Sequence, residues 1–343
     1  VPAGLLRERA RGFQAGDLGP AAVSGAESAP IRLGTRGSAL ALAQSQRVAD
    51  SIAARTGQPV ELVPITTHGD TSTASLASMG GVGVFVAAVR EALLAGDCDV
   101  VVHSLKDLPT TPHDGLVIAA MPKRADARDA LVSRDAVTLD QLPDGATVGT
   151  GSPRRRAQLR RRRPELQIVD LRGNVDTRIG RVLGDKDGVD ADLDAVVLAA
   201  AGLERIGRED VITEHLGIDG WPTAPGQGAL AVETRADARG PLRSALKSMD
   251  HTATRVAVDA ERAVLRLLEA GCSAPLGAHA FIDGGMLFLS ARVYSPETGE
   301  RVSSAHALYL EDTKTPAEDA AQRVVDELLK QGAADLAPLG GTP

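Results

Sequence analysis

An apolar strand that runs straight into a Gly/Ser turn, a proline and a row of arginines narrows what this chain can be more than any other stretch. It reads VGTGSPRRRAQL at Val148–Leu159, and Arg160 to Arg163 continue the row. A strand is expected at Thr147 to Gly149, and Pro153 suits the first turn of a helix, where its missing N–H costs nothing. Unpaired N–H groups at such a helix start and the Ser152 hydroxyl can converge on one oxyanion, with Arg154 and Arg155 adding fork-shaped donors. A bare arginine run also describes a solvated basic helix face. Two other strand-to-turn junctions shift the balance: HSLKD at His103–Asp107 and RGNVDTR at Arg172–Arg178 also offer charged side chains.

The net charge of −7 places these arginines on an acidic protein, so a local anionic ligand fits better than a polyanion. Aromatic residues make up only 2% of the chain. The cores must therefore be aliphatic, and a nucleic-acid-binding module, which needs stacking platforms, is disfavoured. At 343 residues there is room for roughly two or three domains. Cys98 and Cys272 make no disulfide framework, which points to a reducing compartment, and no apolar stretch approaches the length of a membrane span. No metal site is expected. Residues 1–30 show no sustained periodicity and are expected to be a disordered extension: a leader or the remnant of a transit peptide. The expected location is the cytoplasm, or a plastid or mitochondrial matrix in the transit-peptide case.

Along the chain, strands are expected at Ile31–Leu33, Val60–Ile65, Asp99–Val102, Val117–Met121, Ala130–Ser133, Gln167–Asp170 and Ala195–Leu198, with helices between them. Ser38 and Gly57 read as the caps of the first helix. Residues 66–83 carry Gly, Ser and Thr without periodicity and read as a lid-like loop. Two blocks of alternating strands and helices argue for two α/β domains with a cleft between them. The polar joint PKRADARD and the segment WPTAPGQGALAVE read as the crossings, and the strand at Ala229–Thr234 can return to the first block. From about Lys247 the pattern becomes a long amphipathic helix ending at Gly271, then Cys272, then strands and a closing helix introduced by a capping box at Thr315–Glu318. The expected limits are 31–122 with 222–244, 127–218, and 248–338.

Taken together, IRLGTRGSALALAQ, DVVVHSLKDLPT, VGTGSPRRRAQL, RGNVDTR, AAGLERIG, APGQGALAVE and GCSAPLGAHA resemble the porphobilinogen deaminase (hydroxymethylbilane synthase) family in order and spacing, over residues 31 to 335. The resemblance implies two periplasmic-binding-protein-like α/β domains flanking a cleft, plus a small α+β C-terminal domain. It implies a monomeric transferase of tetrapyrrole and haem biosynthesis. Four porphobilinogen molecules are joined head to tail with loss of ammonia, and hydroxymethylbilane is hydrolysed off and passed to uroporphyrinogen-III synthase. The growing chain is held on a dipyrromethane cofactor, and Cys272 matches the cysteine that carries it through a thioether.

By the same resemblance, Lys106, Ser104, Thr150, Ser152, Arg154, Arg155, Arg172 and Gly173 bind the cofactor, and Arg36, Ser38, Arg178, Arg205 and Gln227 bind substrate. Each porphobilinogen ring brings an acetate and a propionate into the cleft, a load that fixed guanidiniums suit. Asp107 matches the catalytic aspartate, where a carboxylate beside the pyrrole N–H stabilises the electron-poor azafulvene left by ammonia. On the residues alone, Asp107 also reads as a capping or salt-bridged side chain, and Cys272 as a half-buried thiol. His103 reads as a strand-end residue, Arg160 to Arg163 as surface charge, and Cys98 as inert. Ser78 and Val82 stand where lysines can occur in the loop of bacterial members. A non-enzymatic anion-binding protein of the two-domain periplasmic type is the other reading of the first two domains.

Overall fold

The computed structural model describes residues 29–66, 83–184, 190–271, 274–337 and 339. Nearly all of the expected N-terminal extension and of the 66–83 loop, including Ser78 and Val82, lies outside them, as does Cys272.

The first sheet contains β1 (Ile31–Thr35), β2 (Val60–Pro64), β3 (Val100–Ser104), β4 (Leu116–Ala120) and β10 (Leu230–Arg235), in the order β2-β1-β3-β10-β4. Its helices are α1 (Ala39–Thr56), α2 (Gly83–Ala95) and α6 (Gly240–Met249). The second sheet contains β5 (Asp129–Ser133), β6 (Thr147–Gly149), β7 (Gln167–Val169), β8 (Ala195–Ala199) and β9 (Glu214–Leu216), in the order β7-β6-β8-β5-β9. Its helices are α3 (Pro153–Arg162), α4 (Val175–Leu183) and α5 (Ala200–Arg205).

The two sheets share one plan. Three parallel strands carry the βα turns, and a fourth, antiparallel strand is supplied by a chain crossing: β10 beside β3, and β5 beside β8. The apolar strand at β3 is thus parallel on one side only. It pairs with β10 antiparallel on the other, so neither sheet is all-parallel.

Both crossings press backbone against backbone. Ala125 N–H donates to Gly228 O at 3.2 Å, and a Cβ on Gly228 would meet Ala125 O at 2.7 Å. With φ at +85°, Gly228 also holds a conformation that L side chains rarely adopt.

Local chemistry explains the helix ends near the site. Ser38 accepts from Ala41 N, and Gly57 closes α1 in the left-handed conformation. Ser152 caps α3 by accepting from Arg155 N, and Pro153 occupies the first turn. Each such cap contributes on the order of 1 kcal/mol. The capping box at Thr315 does not form. Thr315 has φ −127° and ψ 53°, and its hydroxyl turns to the Asp319 carboxylate at 3.3 Å instead.

The last layer is an antiparallel meander of β11 (Leu276–Asp283), β12 (Met286–Tyr294) and β13 (Arg301–Tyr309). It is covered by α7 (Thr252–Leu267), α8 (Pro316–Lys330) and the short α9 (Ala333–Leu336) over an aliphatic core. The long helix of the sequence reading is shorter than expected: the chain breaks at Asp250–His251, leaving Lys247 in α6, and α7 ends at Leu267.

Glu261 of α7, fully buried, ties this layer to both crossings. It accepts from Arg124 at 2.6 and 3.0 Å, from Gly226 N at 2.7 Å and from Ala280 N at 2.8 Å.

Candidate active site

The strand ends that carry charge face one another where the two sheets meet the third layer. A cavity there is lined by Lys106, Ser152, Arg154, Ala224, Pro225, Leu265, Gly271, Ala274 and Leu276. Gly271 and Ala274 flank Cys272 and Ser273 in the chain, so the cation cluster and the neighbours of Cys272 share one wall.

Arg154 and Arg155 do not project freely from α3. Both are buried, and both reach a residue that the sequence reading passed over, Asp129, the first residue of β5. Arg154 Nη2 lies 2.9 Å from Asp129 Oδ2, and Arg155 Nη2 lies 2.6 Å from Oδ1. Trp221 Nε1 donates to Oδ2 at 2.9 Å, and Gln227 Nε2 to Oδ1 at 2.8 Å. Burial opposes ionisation of Asp129, but the two guanidiniums outweigh it and hold the carboxyl well below its usual range.

The physical reason is plain: two buried guanidiniums need a counter-charge, and a carboxylate entering a buried strand needs donors. The remaining η nitrogens are occupied too. Arg154 Nη1 donates to Gln158 Oε1 and Pro222 O, and Arg155 Nη1 to Val197 O. Only the two Nε–H groups lack an acceptor among the described residues.

Lys106 leaves the end of β3 in a short 3₁₀ turn that also carries Asp107. Its Nζ is 3.3 Å from Gln227 Oε1. Burial drives its pKa down to about 8, with Arg155 and Arg154 acting in the same direction and Asp107 and Asp129 against it. Asp107 itself is half-buried, and no hydrogen bond or ion pair from another described residue holds its carboxylate. Among the described residues, the capping or salt-bridge alternative for Asp107 has no partner.

Arg178 of α4 faces the same space. Burial and then the Arg155 charge lower its pKa, Asp107 raises it, and Nε donates to Gly173 O at 2.8 Å. Gly173 has φ +99°, and a Cβ there would strike Thr177 at 2.9 Å. Arg205 of α5 donates to Gly228 O at 2.6 Å, and burial lowers its pKa to about 10.

Other candidates serve partly local ends. Thr150 accepts from Ser152 N, and Ser104 is paired with Gln44, as donor at 3.3 Å and acceptor at 3.1 Å. Arg36 sits at the β1–α1 turn and Arg172 at the β7–α4 turn, where Arg172 Nε is 3.5 Å from Asp170. His103 does more than end a strand: its Nε2 is 3.3 Å from Glu233, inside a buried group completed by Arg90.

The arginines beyond Arg155 are not all surface charge. Arg163 donates to Leu139 O and Leu142 O at 2.7 Å each, Arg160 to Pro296 O, and Arg162 pairs with Asp140 at 2.6 Å. The end of α3 lies where these carbonyls need donors. Cys98 is fully buried and burial raises its thiol to about 11, which suits an inert side chain. The sequence around Asp129 offers only a lone aspartate opening the apolar run Ala130–Val132, which marks a polar residue at a strand start but none of its partners; Trp221 and Gln158 carry no signal of this role.

Comparison with known proteins bears on this arrangement. The family model described as porphobilinogen deaminase, dipyromethane cofactor binding domain, matches residues 31–241, and that of the porphobilinogen deaminase C-terminal domain matches residues 256–330. A porphobilinogen deaminase of Leifsonia xyli is 56% identical over 91% of this chain and 95% of its own length. One from Thermobifida fusca is 50% identical over 89% and 94%. Among solved structures, immunogenic lipoprotein A from Vibrio vulnificus aligns at a TM-score of 0.39 and 14% identity, over 66% of this chain and 96% of that one. With family models covering both the cation-lined cleft and the third layer, and relatives sharing half or more of their residues, the chain belongs to the porphobilinogen deaminase family.

Proposed function

We propose that Asp107 is the catalytic carboxylate of this enzyme, and that the cations around it divide between cofactor and substrate. The enzyme condenses four porphobilinogen molecules with loss of ammonia and releases hydroxymethylbilane. Its dipyrromethane cofactor, when bound, supplies the anchored pyrrole end from which the chain is extended. Lys106, Arg154 and Arg155, with Ser104, Thr150, Ser152, Arg172 and Gly173, hold that group. Arg36, Ser38, Arg178, Arg205 and Gln227 receive substrate carboxylates, and Cys272 is the attachment point.

The pocket fits such a group. The Nε–H donors of Arg154 and Arg155 are buried without an acceptor among the described residues, and a ring carboxylate would satisfy them. Two guanidiniums set against the single charge of Asp129 also leave a positive excess for an anion.

The observation that carries the catalytic assignment is the Asp107 carboxylate beside Lys106 and within the field of Arg178, with no hydrogen bond or ion pair claiming it among the described residues. As ammonia leaves porphobilinogen, positive charge grows at the pyrrole nitrogen. A carboxylate already in place stabilises that charge more than it stabilises the neutral ground state, so it raises kcat. Asp107→Asn in the holoenzyme should lower kcat about a hundredfold or more with KM little changed. Asp107→Glu should retain more activity than the amide. A wild-type kcat with a steeply raised KM in the Asn variant would make Asp107 a binding residue.

We further propose domain limits of 31–122 with 222–244, 127–218, and 248–338, a monomeric state, a cytoplasmic location, and passage of the product to uroporphyrinogen-III synthase. The paired five-stranded sheets support the division into domains, and the bacterial relatives support the location. No described helix is long and apolar enough to cross a membrane.

A further inference from the structure

Asp129 takes part in no step assigned above, yet the most heavily used hydrogen bonds of the pocket end on it. Its carboxylate is fully buried and accepts from four side chains: Arg154, Arg155, Trp221 and Gln227. These come from the first turn of α3 and from the second crossing, while Asp129 opens β5 directly after the first. An ionised carboxylate only accepts, so the Gln227 amide must turn its NH2 toward Asp129 and toward Ala127 O at 2.8 Å. Its carbonyl oxygen then faces the other way and meets Lys106 Nζ at 3.3 Å. One buried charge thereby fixes two guanidiniums directly and an ammonium through an amide.

We infer that Asp129 is a positioning residue of the deaminase reaction, holding Arg154 and Arg155, and through Gln227 Lys106, in the array that meets the ring carboxylates without touching them itself. The inference rests on the reading of those three cations as carboxylate ligands. It adds that their geometry depends on Asp129, because an Arg side chain carries several rotatable bonds and loses aim when its counter-charge goes. Among the charges acting on Lys106, Asp107 and Asp129 favour the ammonium, while Arg154 and Arg155 oppose it. Removing Asp129 must therefore make Lys106 lose its proton at lower pH.

The test uses the full chain as purified holoenzyme, with Asp129→Asn and Asp129→Glu. Asp129→Asn should lower the fraction of molecules carrying the cofactor mass. Per loaded molecule it should reduce kcat/KM for porphobilinogen about tenfold or more, chiefly through KM. The Lys106 side-chain resonance, assigned with Lys106→Arg, should titrate at lower pH than in the unaltered protein, and Asp129→Glu should restore part of each effect. Normal loading, KM and Lys106 titration in a folded Asp129→Asn protein would overturn the inference. If that variant does not fold, Trp221→Phe removes one bond to Oδ2 and no charge; it should raise KM several-fold, and an unchanged KM would overturn the inference equally. Lys106→Met and Arg155→Leu separate the two levels. If both behave as wild type, the reading of the cations fails; if both are impaired while Asp129→Asn is not, only the role of Asp129 fails.

Discussion

Arg90 and Glu233 face each other as a bidentate pair inside the first sheet layer, Nε to Oε2 at 2.9 Å and Nη2 to Oε1 at 2.8 Å, with both side chains buried. The pair fastens α2, which follows the 66–83 loop, to β10, the strand that the second crossing returns to β3. Breaking such a pair leaves a charge without compensation. Arg90→Leu should therefore cost about 3–5 kcal/mol in denaturant unfolding. A loss below about 1 kcal/mol would mean that His103 alone suffices for Glu233.

The same pair sets an acid limit. Burial favours the neutral form of Glu233, but His103 and Arg90 outweigh it and hold its pKa down to about 2. A depressed carboxyl contributes stability above its unfolded value of about 4.3 and loses it as pH falls toward the folded value. As pH falls from about 5 to about 1 the unaltered protein should lose on the order of 3 kcal/mol from this group. Glu233→Gln should lack that part of the acid transition when Tm is followed against pH.

Lys106 sets an alkaline limit on binding. With its pKa near 8, it is a cation below that value and neutral above it. Its hold on the cofactor's ring carboxylates should fade as pH passes 8, seen as an alkaline fall in kcat/KM. Lys106→Arg stays protonated, so it should move that limb to higher pH even where its geometry costs activity. An alkaline limb that does not move would assign it to another group.

Replacing Arg155 tests the cofactor grip without removing the hub beneath it. Asp129 keeps Arg154, Trp221 and Gln227 in Arg155→Leu, so the fold should persist. Loss of a charge-assisted bond of about 1.5–3 kcal/mol weakens binding by roughly ten- to over a hundredfold. The protein should therefore be recovered largely without cofactor, as read by intact mass. Full loading would assign Arg155 a structural role alone.

What was legible in the sequence was local. Ser38, Gly57, Ser152 and Pro153 act within a few residues of their own position, and their caps are where side-chain chemistry puts them. Thr315 shows the limit of that logic: the pattern is present, but Asp319 competes for the hydroxyl. The Asp129 hub was not legible, because its partners lie 26, 92 and 98 positions along the chain and meet only when both crossings are in place. For the same reason Arg160 and Arg163 read as surface charge, although the carbonyls they satisfy belong to distant turns. The antiparallel partners of β3 and β8 were hidden likewise, since strand direction is set by the return of the chain rather than by composition.

The central claim is that the cavity bounded by Lys106, Arg154, Gly271 and Ala274 is built around a dipyrromethane carried by Cys272. Intact mass of three purified proteins tests it most directly: the unaltered chain, Cys98→Ala and Cys272→Ala. The unaltered chain and Cys98→Ala should both show a covalent excess equal to two pyrrole units, since Cys98 is fully buried and burial raises its thiol to about 11. Cys272→Ala should be folded and lack the excess. A Cys272→Ala protein that keeps the two-pyrrole mass would contradict the account.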